Sequence, residues 1–202
     1  KNLKWKVKVP GKGHATPVIW DDALFLVTAL EDSGERILMR LDRKTGDLVW
    51  KKTVLEAPIE PVHHKNSRAS STPVTDGKQV FVSFLDEEEM FIAAYDFDGN
   101  KKWEHRPGPF TSVHGYCSSP VLWKDKVIIN GDHDGEAYLV ALDQKSGKEI
   151  WKTPRPNKTR SYCTPLLRTI DGRNQLILSG SKSVASYDPD TGKQHWIIDG
   201  PT

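Results

Sequence analysis

The stretch Leu41-Asp42-Arg43-Lys44-Thr45-Gly46-Asp47-Leu48-Val49-Trp50 decides the fold, because its pattern returns three more times along the chain. The later copies are YDFDGNKKW (95–103), LDQKSGKEIW (142–151) and YDPDTGKQHW (187–196). In each copy an apolar or aromatic residue precedes Asp, Gly follows within four positions, and Trp ends the stretch. Asp and Gly favour a turn with positive φ, so the pattern predicts a β-hairpin whose second strand carries the Trp.

The spacing of these hairpins predicts a repeat protein. From one Asp to the next the steps are 54, 47 and 45 residues, the period of a small supersecondary unit. We expect the repeat aspartates to accept backbone N–H bonds inside their turns. The structural repeat residues are Asp42, Gly46, Trp50, Asp96, Gly99, Trp103, Asp143, Gly147, Trp151, Asp188, Gly192 and Trp196.

A second recurring element precedes each hairpin and completes the unit. A hydroxyl residue stands before Pro in each copy: Thr16-Pro17, Thr72-Pro73, Ser119-Pro120 and Thr164-Pro165. A tight turn and a run rich in Val, Ile, Leu or Phe follow, which indicates strands by residue type and bounding turns. Each unit is therefore predicted as strand, turn, strand, longer loop, strand, Asp-Gly turn and a last strand with Trp.

Composition narrows the class of protein. The 202 residues are 37% hydrophobic with seven Trp, enough apolar surface to exclude intrinsic disorder. Because no apolar run approaches the roughly 20 residues that a bilayer requires, we expect no membrane span. A formal charge of +2 gives no reason to expect nucleic acid. Two cysteines, Cys117 and Cys163, are too few for a disulfide scaffold.

The four units resemble the β-propeller repeats named after pyrroloquinoline quinone (PQQ) enzymes, whose signature is an apolar-Asp-x-x-Thr-Gly-x-x-x-Trp hairpin. The resemblance runs from about Trp5 to Trp196 and implies an all-β propeller of four-stranded antiparallel blades. The chain is also similar to quinone-free bacterial proteins that share these repeats, which include an outer-membrane assembly lipoprotein and secreted propellers. The resemblance implies a periplasmic or secreted location and leaves activity open.

The number of tryptophans predicts an incomplete ring. We expect one propeller segment with blades at 11–52, 66–105, 114–153 and 160–198, preceded by the last strand of an earlier blade at 1–10. That strand carries Trp5, while the final blade already has Trp196, so neither end completes the other. Four blades plus one strand predict about half of a seven- or eight-bladed ring. The remaining blades or a second copy would then cover the open faces.

The candidate binding residues lie in the loops that lead into the innermost strands. In a propeller these loops gather at one face around the axis, and the loops between second and third strands share that face and add acidic residues. We expect a binding funnel for a protein or carbohydrate ligand there. The candidate ligand-binding residues are His14, His64, Arg68, His114, Tyr116, Arg160 and Tyr162.

The sequence favours a non-enzymatic scaffold for protein or glycan binding in the bacterial cell envelope. No nucleophile elbow, phosphate loop or metal motif is present, so no catalytic residue, metal ligand or cofactor is predicted. Two alternatives stay open. One is a PQQ-dependent dehydrogenase, which the resemblance implies; those enzymes place two adjacent cysteines over the quinone and hold calcium, whereas Cys117 and Cys163 are single. The other is a polysaccharide lyase or hydrolase using His, Tyr and Arg at the axial face.

Overall fold

The computed structural model describes residues 2–200, and in that range the regular structure is sixteen β-strands without a helix. The strands form four separate four-stranded sheets, each an antiparallel meander of consecutive strands. Each sheet is one blade of a β-propeller, which confirms the predicted all-β fold. No helix in the described range is long and apolar enough to cross a membrane.

The four blades follow one another along the chain. Blades 1 and 2 comprise β1 (Val18–Trp20), β2 (Ala23–Leu30), β3 (Glu35–Asp42), β4 (Leu48–Glu56), β5 (Val74–Thr75), β6 (Gln79–Asp86), β7 (Glu89–Asp96) and β8 (Lys101–Pro109). Blades 3 and 4 comprise β9 (Val121–Trp123), β10 (Lys126–Gly131), β11 (Tyr138–Asp143), β12 (Glu149–Pro154), β13 (Leu166–Ile170), β14 (Arg173–Gly180), β15 (Ser183–Tyr187) and β16 (Gln194–Asp199).

The long loops lie between blades rather than inside them. The loop predicted to be longer, between second and third strands, has two residues in blades 2 and 4 (87–88 and 181–182) but six in blade 3 (132–137). The connections between blades span 57–73, 110–120 and 155–165. The blades predicted at 66–105, 114–153 and 160–198 therefore begin inside these connecting loops, several residues before the innermost strand.

The repeat hairpins form as the sequence predicts. The Asp42 carboxylate accepts the backbone N–H groups of Lys44 and Thr45 at 2.8 and 2.9 Å. The other repeat aspartates accept backbone N–H groups in the same way. Gly46 has a φ of +81°, a left-handed conformation that glycine adopts without steric cost.

Each repeat Trp packs on the hairpin of the next blade. Its indole N–H donates to the carbonyl of the residue after that blade's repeat Asp: Trp50 to Phe97 (2.8 Å), Trp103 to Gln144 (2.8 Å) and Trp151 to Pro189 (3.3 Å). The ring also covers the repeat Gly, and a Cβ at Gly147 would lie 2.5 Å from the Trp103 ring. The repeat Gly is therefore required both for the turn and for the close approach of the indole.

Trp5 makes this contact with blade 1. Its indole N–H donates to the Arg43 carbonyl at 3.0 Å, and its ring covers Gly46. Residues 2–10 nevertheless form no strand, which corrects the strand predicted at 1–10, whose first residue lies outside the described range. The reason is that no described strand runs beside them to supply pairing partners. Trp196 donates instead to the Gln175 side chain of its own blade at 3.1 Å.

A chain of hydrogen bonds joins the innermost strands through the hydroxyl residues that precede Pro. The backbone N–H of each donates to the hydroxyl of the equivalent residue in the next blade: Thr16 to Thr72 (3.1 Å), Thr72 to Ser119 (3.0 Å) and Ser119 to Thr164 (3.3 Å). The following Pro favours an extended backbone at each position. These bonds hold the connecting loops side by side around the axis.

The hydrophobic core lies between blades. Phe81 and Ile92 of blade 2 pack against Val127 and Val140 of blade 3, and equivalent clusters join blades 1 and 2 and blades 3 and 4. Within residues 2–200 no hydrogen bond or ion pair joins blade 4 to blade 1. The described blades therefore form an arc in which each blade is stabilised by its neighbours.

Candidate functional site

Three adjoining depressions cross the axial face from blade 1 to blade 4. Their volumes are about 560, 360 and 550 Å³. The first and second share His63 and Asn66, and the second and third share His114 and Tyr162. We call the combined surface the axial trough. It is lined by Gly11, Lys12, Gly13, His14, Glu31, Val62, His63, His64, Lys65, Asn66, Ser67, Arg68, His114, Cys117, Thr159, Arg160, Ser161, Tyr162, Cys163, Ser179 and Gly180.

Glu31 organises the charged end of the trough at blade 1. Its carboxylate accepts a hydrogen bond from Lys12 Nζ at 2.6 Å and also forms an ion pair with Arg68 Nη1. The hydrogen bond from Lys12 and the nearby Arg68 lower the pKa of Glu31. Arg68 Nε and Nη2 donate to the Glu60 carbonyl at 3.1 and 2.9 Å, so this guanidinium also anchors the long connection after blade 1.

Three imidazoles occupy the middle of the trough. The ring centroids of His63 and His64 are 4.1 Å apart, and those of His63 and His114 are 5.1 Å apart. Burial and the charges of His64 and His114 lower the pKa of His63. Asn66 joins the loops of two blades, because its amide donates to the His114 carbonyl at 2.7 Å.

Arg160 and Tyr162 form the end of the trough at blade 4. Arg160 Nη1 lies 2.8 Å from Asp134 Oδ2, and this hydrogen bond raises the pKa of the guanidinium. The Tyr162 hydroxyl lies 2.8 Å from Ser112 Oγ in the connection between blades 2 and 3. Its ring is 5.9 Å from that of His114, so planar side chains continue along the trough.

Of the seven residues predicted to bind a ligand, the structure brings six to the trough and places Tyr116 elsewhere. Tyr116 is only 5% exposed and packs in the core between blades 2 and 3. Its hydroxyl is 3.1 Å from Ser83 Oγ, and burial raises the pKa of the phenol. This corrects its expected position on the axial face. The backbone of the connection 110–120 lies at the axial face, but the Tyr116 ring points inward and fills the space between the sheets of blades 2 and 3.

We expect Tyr116→Phe to leave ligand binding at the trough unchanged and to cost about 1 kcal/mol of unfolding free energy, the usual value of one hydrogen bond. Ser83 keeps a partner, because its Oγ lies 2.7 Å from Ser71 Oγ. Urea unfolding of the variant measures the cost. Tyr162→Phe is the matched control, since it removes a hydroxyl inside the trough. A binding defect in Tyr116→Phe at unchanged stability would contradict the buried position.

Sequence reasoning left several trough residues out of the candidate set. His63 and Asn66 were visible as polar loop residues, but nothing in their spacing distinguishes them from ordinary solvated positions. Asn66 meets His114 across 48 positions of sequence, a contact that only folding creates. Asp134 was visible only as part of an acidic loop, and its pairing with Arg160 has no local signal.

Two buried arginines support the walls of the trough. Arg155 Nε and Nη2 lie 2.8 and 3.1 Å from the two Asp132 oxygens, and Nη1 lies 2.7 Å from the Tyr187 hydroxyl. Ser161, which lines the trough, donates to Asp132 at 2.7 Å. In blade 1 the buried Arg36 pairs with Glu60 and donates to the Ala57 carbonyl at 2.8 Å. Both arginines tie a connecting loop to a strand.

The residues that a quinone site would need do not match those described here. Cys117 and Cys163 are free thiols in different connecting loops, and burial raises the pKa of both. In residues 2–200 no group of three His, Cys, Asp or Glu side chains is arranged to hold a metal ion. The described residues thus provide neither adjacent cysteines nor a three-ligand metal group, and no step is derived through PQQ or calcium.

The repeated Trp-on-Gly contacts, the arc of four blades and the axial trough define a β-propeller with PQQ-like blades. The family model described as "Outer membrane protein assembly factor BamB" matches residues 1–106 and 39–199. The chain belongs to this PQQ-like repeat family.

The chain is similar to longer proteins over part of their length. It is 23% identical over 237 aligned residues to a polyvinylalcohol dehydrogenase of Pseudomonas sp, with 96% of this chain and 35% of that relative aligned. A quinohemoprotein alcohol dehydrogenase, ADH IIB of Pseudomonas putida, is 37% identical over 81 residues, which cover 37% of this chain and 11% of the relative. The chain thus spans about a third of the first relative's length and a smaller share of the second.

Solved structures share the fold at low identity. The quinohemoprotein alcohol dehydrogenase ADHIIG from Pseudomonas putida HK5 superposes with a TM-score of 0.65 at 16% identity, covering 96% of this chain and 35% of that one. A europium-containing methanol dehydrogenase gives 0.56 at 13% identity, with 98% and 53% covered. At these identities the likeness shows the fold alone.

Proposed function

We propose that this chain is the ligand-binding part of a larger PQQ-like propeller that acts as a non-enzymatic scaffold in the bacterial cell envelope. The observation that carries the proposal is the continuity of the axial trough, in which neighbouring depressions share lining residues from blade 1 to blade 4. An extended ligand is the natural occupant of such a surface. The description of the matching family as an outer-membrane assembly factor supports a periplasmic or secreted location.

A quinone-dependent dehydrogenase is the competing function, and the printed names of the relatives favour it. If this function is correct, the 202-residue chain should reduce a dye only when PQQ and calcium are added. We expect no such reduction, because the described thiols are single rather than adjacent. Quinone- and calcium-dependent turnover would overturn the scaffold proposal.

The lyase alternative loses one of its candidate groups. Tyr116 is buried between blades, so its phenol cannot reach a carbon acid in the trough. His114, Tyr162 and Arg160 stay on the trough. We expect no release of unsaturated sugars when the chain is incubated with acidic glycans.

Further blades are the proposed partners of the exposed face of blade 4. Trp196 lies on that blade, and Ile198 is 60% exposed. In blades 1 to 3 the equivalent Trp meets the Asp-Gly hairpin of the next blade. A second copy docked head to tail is disfavoured, because Trp5 already covers Gly46 of blade 1. We therefore propose that another blade of the same protein covers blade 4.

Hydrogen exchange tests the binding proposal. We expect short oligosaccharides or unstructured peptides that bind the chain to slow exchange in the connections 57–73, 110–120 and 155–165 and not in the outer hairpins. His114→Ala should weaken this binding by about 1 kcal/mol, roughly fivefold in Kd. His195→Ala, in β16, is the control and should change nothing. If no probe protects the three connections, or protection falls on the outer hairpins, the proposed function is wrong.

A further inference from the structure

We infer that the axial trough binds an acidic polysaccharide, a polymer of sugars that carry carboxylates. This inference rests on the proposed function and names its ligand class. Three properties of the trough carry it: an excess of positive charge, a lining almost free of aliphatic side chains, and a row of planar rings.

The charges of the trough do not cancel. Four cationic side chains line it, Lys12, Lys65, Arg68 and Arg160. Their carboxylate partners are Glu31, shared by Lys12 and Arg68, and Asp134, which pairs with Arg160. Four cations against two carboxylates leave two positive charges, while the whole chain of 202 residues carries only +2. A polyanion gains attraction here, since a cleft focuses the field of its charges.

These cations are accessible to a ligand. The Lys12 side chain is 71% exposed and that of Arg160 is 34% exposed, and Lys65 is exposed as well. Arg68 is more deeply held, between Glu31 and the Glu60 carbonyl. Lys65 and Arg160 lie in the loops after blades 1 and 3, so a ligand touching both would extend along the trough.

The lining favours a glycan over a protein. Val62 is the only aliphatic side chain larger than a methyl group among the lining residues of the described chain. Protein ligands are usually held by buried apolar and aromatic anchors, for which such a lining has no pockets. The hydroxyl groups of Thr159 and Ser179, which are not buried, line the trough instead and match the hydroxyl groups of sugars. His63, His114 and Tyr162 offer flat faces against which the C–H side of a sugar ring packs.

Acidic side chains mark the limits of the site. Asp32 and Glu56 line a depression that adjoins the trough at Glu31, and Glu87 and Glu88 line another. Both would repel a polyanion. An acidic chain is therefore confined to the trough rather than spread over the whole face.

The test uses the 202-residue chain and short oligogalacturonides, with binding measured by calorimetry. We expect Lys65→Gln combined with Arg160→Gln to weaken binding by roughly tenfold or more, because two charge contacts are lost. The matched control is Lys145→Gln combined with Lys148→Gln, which removes two exposed charges from the hairpin between β11 and β12 and should leave the affinity within about twofold. Added salt should weaken binding of the parent chain and have less effect on the double variant.

Neutral maltooligosaccharides, polyglutamate peptide and single-stranded oligothymidylate are the comparison ligands. The inference predicts that oligogalacturonides bind best. Equal or tighter binding of a neutral sugar would overturn the charge argument, and equal or tighter binding of polyglutamate or oligothymidylate would overturn the glycan assignment. In each of these cases protection of the three connections would still support the proposed function. If none of the probes protects them, the proposed function fails together with this inference.

Discussion

Trp103→Ala should lower the unfolding free energy by about 3–5 kcal/mol, the range for truncating a buried large aromatic side chain. The indole is 8% exposed and lies between blades 2 and 3. It packs on Gly147 and donates its N–H to the Gln144 carbonyl at 2.8 Å. Alanine would leave a cavity at the contact that joins two sheets and a carbonyl without its partner. Urea unfolding followed by circular dichroism gives the free energy.

The control for this prediction is Trp196→Ala, the same repeat position in blade 4. This indole donates only to the Gln175 side chain of its own blade, so its loss should cost less than half as much. Trp103→Phe separates the two parts of the effect, because it keeps most of the ring and removes the N–H donor. We expect it to cost about 1 kcal/mol. Equal costs for the alanine variants at 103 and 196 would contradict the idea that the repeat Trp acts between blades.

Arg155→Met should lower the unfolding free energy by about 3–5 kcal/mol, because it leaves the Asp132 carboxylate buried without its cation. Both side chains are at most 1% exposed. Burial alone would lower the pKa of Arg155, but the hydrogen bonds and charge of Asp132 more than offset this and raise it. The pair also holds Ser161 at the trough, so the connection 155–165 should exchange faster in the variant.

A double variant separates the ion pair from the packing. Arg155→Met with Asp132→Leu removes both charges and should recover a large part of the lost stability, since apolar replacements of a buried pair are often tolerated. Lys158→Met breaks an exposed ion pair, in which the Lys158 side chain is 65% exposed and that of Glu136 is 81% exposed. It should lower the unfolding free energy by less than about 1 kcal/mol. If Arg155→Met were as mild as Lys158→Met, the pair would have no structural role.

Much of the fold was predictable because its determinants are local. The aspartate turns, the glycines with positive φ and the apolar strands are specified by a few adjacent residues, and the repetition of one pattern four times removes ambiguity. Six of the seven candidate site residues could be placed on the trough for the same reason, since blade geometry assigns each loop to one face. Tyr116 shows the limit: its loop was correctly placed, but side-chain direction was not encoded in the loop's position.

The amino-acid sequence by itself determined the class of fold, the hairpins and the face on which the connecting loops gather, since turn chemistry and repeat period act over short distances. Only the tertiary structure decided which polar groups meet. The pairing of Arg160 with Asp134, the bond from Asn66 to His114 and the inward turn of Tyr116 join residues 26, 48 and 33 positions from their partners. Such contacts depend on how the sheets and their connecting loops pack against each other. The residues that form them are distant in sequence, so no local pattern in the chain predicts them.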